Sequence, residues 1–372
     1  MNYRKMGSTG ISVSALGFGC MRFPCTDPEN NQTIDEELSK KMLRYAIDNG
    51  VNYVDTAFFY HGGESERFVG RALKDGYREK VYLATKLPMG EVKEEADFDR
   101  LLNEQLQKLD TDHIDFYLFH ALNAGHWETV KKYGFTEKMR RAKAEGKIRH
   151  IGFSFHDDPD VFKKIVDEFE DAEFCQVMYN YENTDFQAGE EGIAYAAAKG
   201  LGVIVMEPLR GGGLADPVPE VKAVFPENTD YVKSALDFVW DNENVSLLLS
   251  GMSSFEQTVK NVEFACHAKE NMLTPEEKDI FVRAKKAADA LVQVPCTNCR
   301  YCQPCPNEVC IPDIFAAYNN ITRLSRGGVL KLMPDIAEKT AACVACGACE
   351  AMCPQHIKII DELKRINEKF IK

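Results

Sequence analysis

The sequence lacks any long run of apolar residues. Its longest apolar stretches, such as Val245–Leu249, are far shorter than the roughly 20 residues that a membrane-spanning helix needs. The segment Met1–Gly10 is polar and has no apolar core of the kind that directs secretion. We therefore expect a cytoplasmic chain that does not enter a membrane.

Basic residues are also scarce. The 372 residues include 45 Lys and Arg against 58 Asp and Glu, a formal charge of -13 at pH 7. Because phosphate backbones repel such an acidic protein, nucleic acid is not expected as a partner. The G-x-G-x-x-G turn of Rossmann folds is missing too, since Gly17-x-Gly19 is followed by Arg22 where the third glycine is needed. A dinucleotide would have to bind to a different kind of fold.

Cysteine, by contrast, is abundant, with 13 residues in a chain that shows no export signal. Two closely spaced runs, each followed by proline, are Cys296-x2-Cys299-x2-Cys302-x2-Cys305 and Cys343-x2-Cys346-x2-Cys349-x3-Cys353. Three thiolates at two-residue gaps wrap one four-iron cluster, and a fourth before proline reaches the neighbouring cluster. The runs therefore predict [4Fe-4S] clusters, two in number, with these eight cysteines as ligands.

Some alternatives for the cysteines stay open. The first run is one residue shorter before its last cysteine than the second, and Cys310 lies close enough to compete with Cys305 as the fourth ligand. Four-cysteine zinc sites are the main rival, although they seldom use three consecutive two-residue gaps. A disulfide framework fits a reducing compartment less well.

Upstream of the cysteines, from about residue 14 to 266, short β-rich runs alternate with helical stretches. The predicted strands are Leu16–Cys20, Tyr53–Ala57, Val81–Lys86, Ile114–His120, His150–Ser154, Phe174–Tyr179, Val203–Glu207 and Val245–Gly251. Eight strand–helix units in about 250 residues predict an α/β fold, the (β/α)8 TIM barrel. A doubly wound open sheet is the alternative.

The ends of the chain complete this domain organisation. Tyr3–Ser14 predicts a hairpin across the bottom of the barrel, and Asn271–Val294 predicts a charged linker helix. We expect the barrel to occupy residues 1–285. A mainly helical, two-cluster ferredoxin-like domain then occupies residues 286–372.

Three predicted strands end in ionisable residues of different types: Asp55, Lys86 and His120, with Tyr60 in the loop after Asp55. Each of them alone fits a structural role, such as a turn cap or a half-buried histidine. Reactive groups of (β/α)8 enzymes lie at the C-terminal ends of the strands. Their joint occurrence at neighbouring strand ends therefore favours a catalytic site.

At these residues the sequence resembles the aldo-keto reductases. The matching segments are residues 3–19, Asp55-Thr56-Ala57-x-x-Tyr60 with Gly63-x-Ser65-Glu66, residues 115–120, residues 146–154, Gln176-x-x-Tyr179-Asn180, Pro208-Leu209 and Asn261. The resemblance covers about residues 1–266. The cysteine tail is similar to that of a branch of the same family with a C-terminal 4Fe-4S ferredoxin-like domain.

The resemblance implies NAD(P)H-dependent interconversion of a small aldehyde or ketone and an alcohol, with Tyr60 as proton donor. A free tyrosine has a pKa of about 10. A neighbouring Lys86 would lower the pKa of Tyr60 by stabilising the tyrosinate. Asp55 would hold Lys86 as an ion pair, and His120 would hydrogen-bond the carbonyl oxygen.

The resemblance also assigns residues to the cofactor. They are Ser154 and Gln176 at the carboxamide, Tyr179 stacked on the nicotinamide, Leu209 and Gly211 by the pyrophosphate, Asn261 at the adenine, and Gly251 and Gln257 at the positions for the 2′-phosphate. Gly19 and Met21 are further cofactor-binding residues by the same resemblance. The family usually has Lys and Arg at the two positions for the 2′-phosphate, and an Asn where this chain has Phe155. NADP and NAD therefore both stay open.

The clusters leave the function open in another way. A nicotinamide passes two electrons as a hydride, whereas a four-iron cluster ordinarily passes one. Three roles for the clusters stay open. They relay electrons to a redox partner, a ferredoxin or a flavoprotein; or they brace the structure; or the barrel holds a flavin or uses cluster electrons directly in substrate reduction. The rival function is an electron-transfer subunit whose barrel docks a partner protein. A redox sensor has no support beyond the clusters.

Overall fold

A computed structural model describes residues 1–296, 302–321, 336–353 and 355–370. The chain forms two compact units, one from Met1–Arg210 with Val232–Pro275 and one from Gly211–Tyr231 with Glu276–Lys372. The expected domain boundary after residue 285 falls inside the helix Pro275–Asp289 and stays a prediction. No helix in the described ranges is long and apolar enough to cross a membrane.

The first unit begins with an antiparallel hairpin of β1 (Tyr3–Lys5) and β2 (Ser12–Ser14). Gly7 in its turn has φ +49°, and a Cβ there would lie 2.3 Å from the Gly202 nitrogen. Only glycine allows both this backbone conformation and this close approach. The turn thereby packs against the residue with which the strand Gly202–Met206 begins.

The hairpin is followed by eight parallel strands. They are β3 (Leu16–Gly19), β4 (Tyr53–Asp55), β5 (Tyr82–Leu87), β6 (Ile114–Leu122), β7 (Ile148–Phe155), β8 (Phe174–Met178), β9 (Gly202–Met206) and β10 (Leu247–Gly251). Each strand pairs with the next, and β10 pairs with β3. The sheet is therefore a closed (β/α)8 barrel, as predicted, and the open-sheet alternative is wrong.

Helices connect the strands and surround the barrel. Those of the first unit are Glu36–Asp48, Glu64–Ala72, Asp97–Leu109, Ala124–Lys132, Phe135–Ala144, Pro159–Glu168, Gly189–Ala198, Tyr231–Asp241 and Phe255–Ala265. Each turns an apolar face to the outer side of the sheet, as Met42 and Leu43 do in the first helix. Polar caps start several of them, such as Asp35, whose side chain accepts from the Leu38 N–H.

The inside of the barrel is filled by large side chains. Phe116 is central to this packing: its ring centroid lies 5.1 Å from Tyr53, 5.0 Å from Phe174 and 4.9 Å from His150. Met6 of the hairpin belongs to the same cluster of fully buried residues. Because the barrel is packed and not a pore, polar chemistry is confined to its ends.

The second unit is mainly helical, in agreement with the predicted ferredoxin-like domain. Its helices are Pro219–Lys222, Pro275–Asp289, Ile311–Ile321, residues 336–341, Ala348–Met352 and Ile359–Phe370. Its small apolar core includes Phe315, Tyr318 and Ile366, and six of the predicted ligand cysteines pack against that core. Cys299, a seventh, lies outside the described residues.

Candidate functional site

Asp55 and Lys86 form a buried ion pair at the C-terminal ends of β4 and β5. Lys86 Nζ donates to Asp55 Oδ1 at 2.7 Å and to the Thr56 carbonyl at 2.9 Å. Both residues are at most 2% exposed. Burial acts to lower the pKa of Lys86, but Asp55 and Tyr60 together outweigh it and leave that pKa above its usual value. Lys86 is therefore a fixed, permanently charged ammonium.

Tyr60 begins the short 3-10 turn Tyr60–Gly63 that follows β4. Its hydroxyl oxygen accepts from Lys86 Nζ at 3.2 Å, and the ammonium lies 4.8 Å from the ring centroid. Burial raises the pKa of Tyr60 above its usual value, while Lys86 acts to lower it. The contact expected from the sequence is present, and Lys86 acts on the pKa of Tyr60 in the expected direction, but burial outweighs the ammonium and the net shift is upward.

His120 lies near the end of β6, where the register with β7 shifts between Phe119 and Leu122. Its ring centroid is 6.4 Å from that of Tyr60, with the two rings nearly perpendicular. Burial and then the Lys86 charge lower the pKa of His120 to about 3. The imidazole is therefore neutral at pH 7 and can donate one N–H to a substrate oxygen.

Ala121 holds this irregular strand end in place. It has φ +53°, its N–H donates to Ser154 Oγ at 2.7 Å, and its carbonyl lies 2.8 Å from His126 Nδ1. A positive φ costs energy in an alanine, so these two side chains sustain a conformation that the strand alone would not adopt. They fix the backbone directly after His120.

A buried layer of three polar residues, Glu66, Thr85 and Gln105, supports the backbone of Lys86. The sequence assigned no role to Thr85 or Gln105. Gln105 Nε2 donates to the Lys86 carbonyl at 3.0 Å and to Glu66 Oε1 at 2.6 Å. Thr85 Oγ1 donates to the same Glu66 oxygen at 2.6 Å. All three residues are 0% exposed. The signal in the sequence is a glutamine among the leucines that the helix Asp97–Leu109 buries.

Two of the residues assigned to the carboxamide have free hydrogen-bonding capacity. Gln176, on β8, is 2% exposed, and its buried Oε1 has no hydrogen-bond partner among the residues that the structure describes. Ser154 Oγ accepts from the Ala121 N–H and still has its own hydrogen to donate. An orphaned buried acceptor fits the amide group of a nicotinamide, which carries both donors and an acceptor.

Tyr179 and Asn261 are engaged within the protein. The Tyr179 ring lies 5.4 Å from that of Phe238, and the residue is 2% exposed. Asn261 Nδ2 donates to Ser250 Oγ at 3.0 Å. Their assignments to the nicotinamide ring and the adenine stay predictions.

The glycines assigned to the cofactor end neighbouring strands. Gly19 pairs with Gly251 in the register of β3 and β10, and a Cβ on Gly19 would lie 3.3 Å from the Ser250 carbonyl oxygen. Met21 is 58% exposed just beyond β3. Gln257 is exposed in the first turn of the helix Phe255–Ala265.

The last two cofactor assignments follow β9. Leu209 is partly buried and packs against the main apolar core of the first unit. Gly211, with φ +65°, belongs to the second unit. The assignments of Leu209 and Gly211 to the pyrophosphate therefore stay predictions.

The second unit contains a cavity of about 220 Å³ lined by cysteines of both runs. Three come from the second run, Cys343, Cys346 and Cys349, and Cys302 and Cys305 come from the first. Cys310 is absent from this lining, and its Sγ lies 2.6 Å from Asp313 Oδ2. The geometry therefore favours Cys305 over Cys310 as the ligand that crosses to the second run.

The cavity also suits a polynuclear cluster, because a four-iron cluster takes one cysteine thiolate at each of its irons. Cysteines of both runs surround the cavity, as such a cluster requires.

The buried Asp55–Lys86 ion pair and the adjoining Tyr60 define an oxidoreductase-type site on a (β/α)8 barrel. Comparison with known proteins supports the same class of enzyme. Residues 15–273 match the aldo/keto reductase family, and residues 295–358 match the 4Fe-4S dicluster domain. The chain belongs to the aldo/keto reductase family and carries a C-terminal 4Fe-4S dicluster domain.

Individual relatives are moderately similar. L-galactose dehydrogenase from Arabidopsis thaliana is 28% identical over 283 residues, which cover 70% of this chain and 86% of that protein. The holo form of an aldo-keto reductase from Bacillus halodurans is 27% identical with a TM-score of 0.65, covering 77% of this chain and 97% of the other. A putative aldo-keto reductase from Pseudomonas aeruginosa is 25% identical with a TM-score of 0.58, covering 72% and 95%.

Proposed function

We propose that this protein is a cytoplasmic NAD(P)H-dependent oxidoreductase that interconverts a small aldehyde or ketone and the corresponding alcohol. The observation that carries the proposal is the buried chain of contacts from Asp55 through Lys86 to the Tyr60 hydroxyl. Burying a carboxylate and an ammonium costs several kcal/mol per ion in solvation, so the pair is poorly explained by stability alone.

Each group has a distinct task in the reaction. A nicotinamide, when bound, would supply the hydride in reduction or accept it in oxidation. Tyr60 donates its proton to the carbonyl oxygen in reduction and takes it back in oxidation. The Lys86 ammonium compensates the charge that develops on the Tyr60 oxygen, and Asp55 keeps Lys86 protonated and in position. His120, neutral because of its lowered pKa, donates a hydrogen bond to the same carbonyl oxygen.

The cofactor would be held at the C-terminal ends of the other barrel strands and in the loops that follow them. Gln176 and Ser154 would bind the carboxamide, and their unused hydrogen-bonding capacity supports this step. The remaining assignments, at Gly19, Met21, Tyr179, Leu209, Gly211, Gly251, Gln257 and Asn261, belong to the same proposal.

The C-terminal cysteines would hold two [4Fe-4S] clusters. One would be bound by Cys343, Cys346 and Cys349 with Cys305, four of the five cysteines that line the cavity. The other would be bound by the remaining cysteines of the two runs, Cys296, Cys299, Cys302 and Cys353. Because a hydride carries two electrons and a cluster one, relay from the nicotinamide would need a flavin, which a flavoprotein partner would provide.

An anaerobic preparation of the full chain tests the proposal. We expect eight irons and eight sulfides per chain, dinucleotide binding by fluorescence, and NAD(P)H consumption with a panel of aldehydes and ketones. Bleaching of the cluster absorbance by NAD(P)H plus a flavoprotein would assign the clusters to relay, and its absence would assign them to structure. A protein with full clusters but no affinity for either dinucleotide would instead be the docking subunit.

A further inference from the structure

An exposed arginine, Arg22, lies beside the C-terminal end of β10. Arg22 ends the short 3-10 turn Cys20–Arg22 after β3, and Gly251 ends the adjacent strand β10. A Cβ at position 251 would lie 3.2 to 3.3 Å from Cβ, Cγ and Cδ of Arg22. The aliphatic part of the Arg22 side chain therefore crosses directly over Gly251.

The backbone of this arginine is tied to the loop after β10. Ser253 Oγ donates to the Arg22 carbonyl at 2.9 Å, and the Ser253 N–H donates to Gln257 Oε1 at 2.8 Å. These bonds join Arg22, Ser253 and Gln257 in one local arrangement at the start of the helix Phe255–Ala265. The Gln257 side chain keeps its NH2 group to donate elsewhere.

The guanidinium itself is exposed, and within the described ranges it has no ion-pair partner. The acidic residue on the same helix turn, Glu256, pairs with Lys260 at 3.1 Å. A second cation, Lys41, lies 4.2 Å from the ring centroid of Phe255. Arg22 is therefore an exposed cation in a chain whose formal charge is -13.

We propose that Arg22 binds the adenosine 2′-phosphate of NADP(H) and makes the enzyme prefer NADP(H) over NAD(H). This inference rests on the proposed function, which puts the adenosine end of the cofactor near Gly251, Gln257 and Asn261. The cations that the family carries at positions 251 and 257 are missing, and the charge is supplied from position 22 instead. A lysine at 251 would occupy the space that Arg22 crosses, so the glycine and the arginine belong together.

The chemistry suits the ligand. A guanidinium offers parallel N–H groups that match two oxygens of a phosphate monoester, and such charge-assisted bonds are among the stronger ones in proteins. The Gln257 NH2 group and the Ser254 hydroxyl lie on the same turn as additional polar contacts. The 2′-hydroxyl of NAD(H) offers no charge for the arginine to bind.

Binding of nonreactive fragments tests this without turnover. Adenosine 2′,5′-bisphosphate and 5′-AMP differ only in the 2′-phosphate, and calorimetry on the full chain under anaerobic conditions measures both. We expect the wild type to bind the bisphosphate at least about tenfold more tightly than AMP. Arg22→Gln should bring that ratio close to one, with AMP affinity unchanged. Arg22→Lys should retain part of the preference, since it keeps the charge but loses the bidentate geometry.

Controls separate this inference from the function on which it rests. Arg141→Gln removes an exposed arginine of the outer helix Phe135–Ala144 and should leave both affinities unchanged. NADPH and NADH binding by fluorescence should follow the fragments, and the preference should weaken with salt. A wild type that binds NADPH and NADH equally, or a preference that survives in Arg22→Gln, overturns the role of Arg22 alone. Binding of neither dinucleotide overturns the cofactor site altogether.

Discussion

Replacing Tyr60 by phenylalanine removes one oxygen from the site and little else. The ring keeps its place in the turn after β4, and Lys86 keeps two of its three hydrogen-bond partners, Asp55 and the Thr56 carbonyl. The ion pair between Asp55 and Lys86 is therefore preserved. The variant isolates the proton-donating function from the packing and charge that surround it.

The expected losses differ for stability and rate. Losing a hydrogen bond to a charged group destabilises a protein by roughly 1.5–3 kcal/mol, and the 3.2 Å bond to Tyr60 should fall at the lower end. General acid catalysis typically contributes about 10²–10⁴-fold in rate, or about 3–5 kcal/mol of transition-state stabilisation. Lys86→Met, by contrast, leaves the Asp55 carboxylate buried and unpaired, which should cost roughly 3–5 kcal/mol of folding free energy.

The assay is anaerobic NAD(P)H consumption with the most active carbonyl compound of the panel, beside dinucleotide binding and thermal unfolding. Tyr60→Phe should lose at least about 100-fold in kcat, bind the dinucleotide with its original affinity, and unfold within a few degrees of the wild type. Lys86→Met should lose both rate and stability. Turnover of Tyr60→Phe within threefold of the wild type would refute the assignment of the proton donor.

Three further predictions address other parts of the molecule. The pKa of His120 is lowered to about 3, so the folded state resists protonation that the unfolded chain accepts near 6.5. Stability should fall by on the order of 1 kcal/mol per pH unit from 6.5 towards 3, and denaturant titrations of His120→Gln should show a shallower fall. Cys305→Ser should lower the iron count by up to four per chain, whereas Cys310→Ser should leave it unchanged; the reverse result would make Cys310 the ligand. Gln176→Ala should weaken dinucleotide binding roughly tenfold without changing the iron count, and unchanged binding would contradict its contact with the carboxamide.

Much of the fold could be predicted because it follows from local patterns. Strand cores such as Ile114–His120 are apolar, β-rich and separated by helical periodicity, and eight of them in about 250 residues suffice to indicate a barrel. The 4Fe-4S domain was equally predictable from the spacing of the two cysteine runs, and the family comparison confirms it. The ends of the strands were harder to predict. β6 runs to Leu122 with a register shift around Ala121, because the side chains of Ser154 and His126 stabilise a positive φ at Ala121.

The balance of forces in the site was less predictable. Lys86 was expected to lower the pKa of Tyr60, yet burial raises it more, and the depth of burial is set by residues distant in the chain. The contact between Gln105 and the Lys86 carbonyl was not predictable either, because it joins a helix to a strand that precedes it in the chain.

The sequence by itself determined the class of this protein: a strand–helix barrel with an acid, a lysine, a tyrosine and a histidine at strand ends, and a cysteine tail spaced for clusters. Tertiary structure alone decided which groups meet. Arg22 crosses Gly251 although 229 positions separate them in the chain, and Cys305 shares a cavity with Cys346. The physical reason is that closure of the sheet and packing of the helices bring distant residues together, and a contact energy acts over a few ångströms irrespective of distance along the chain.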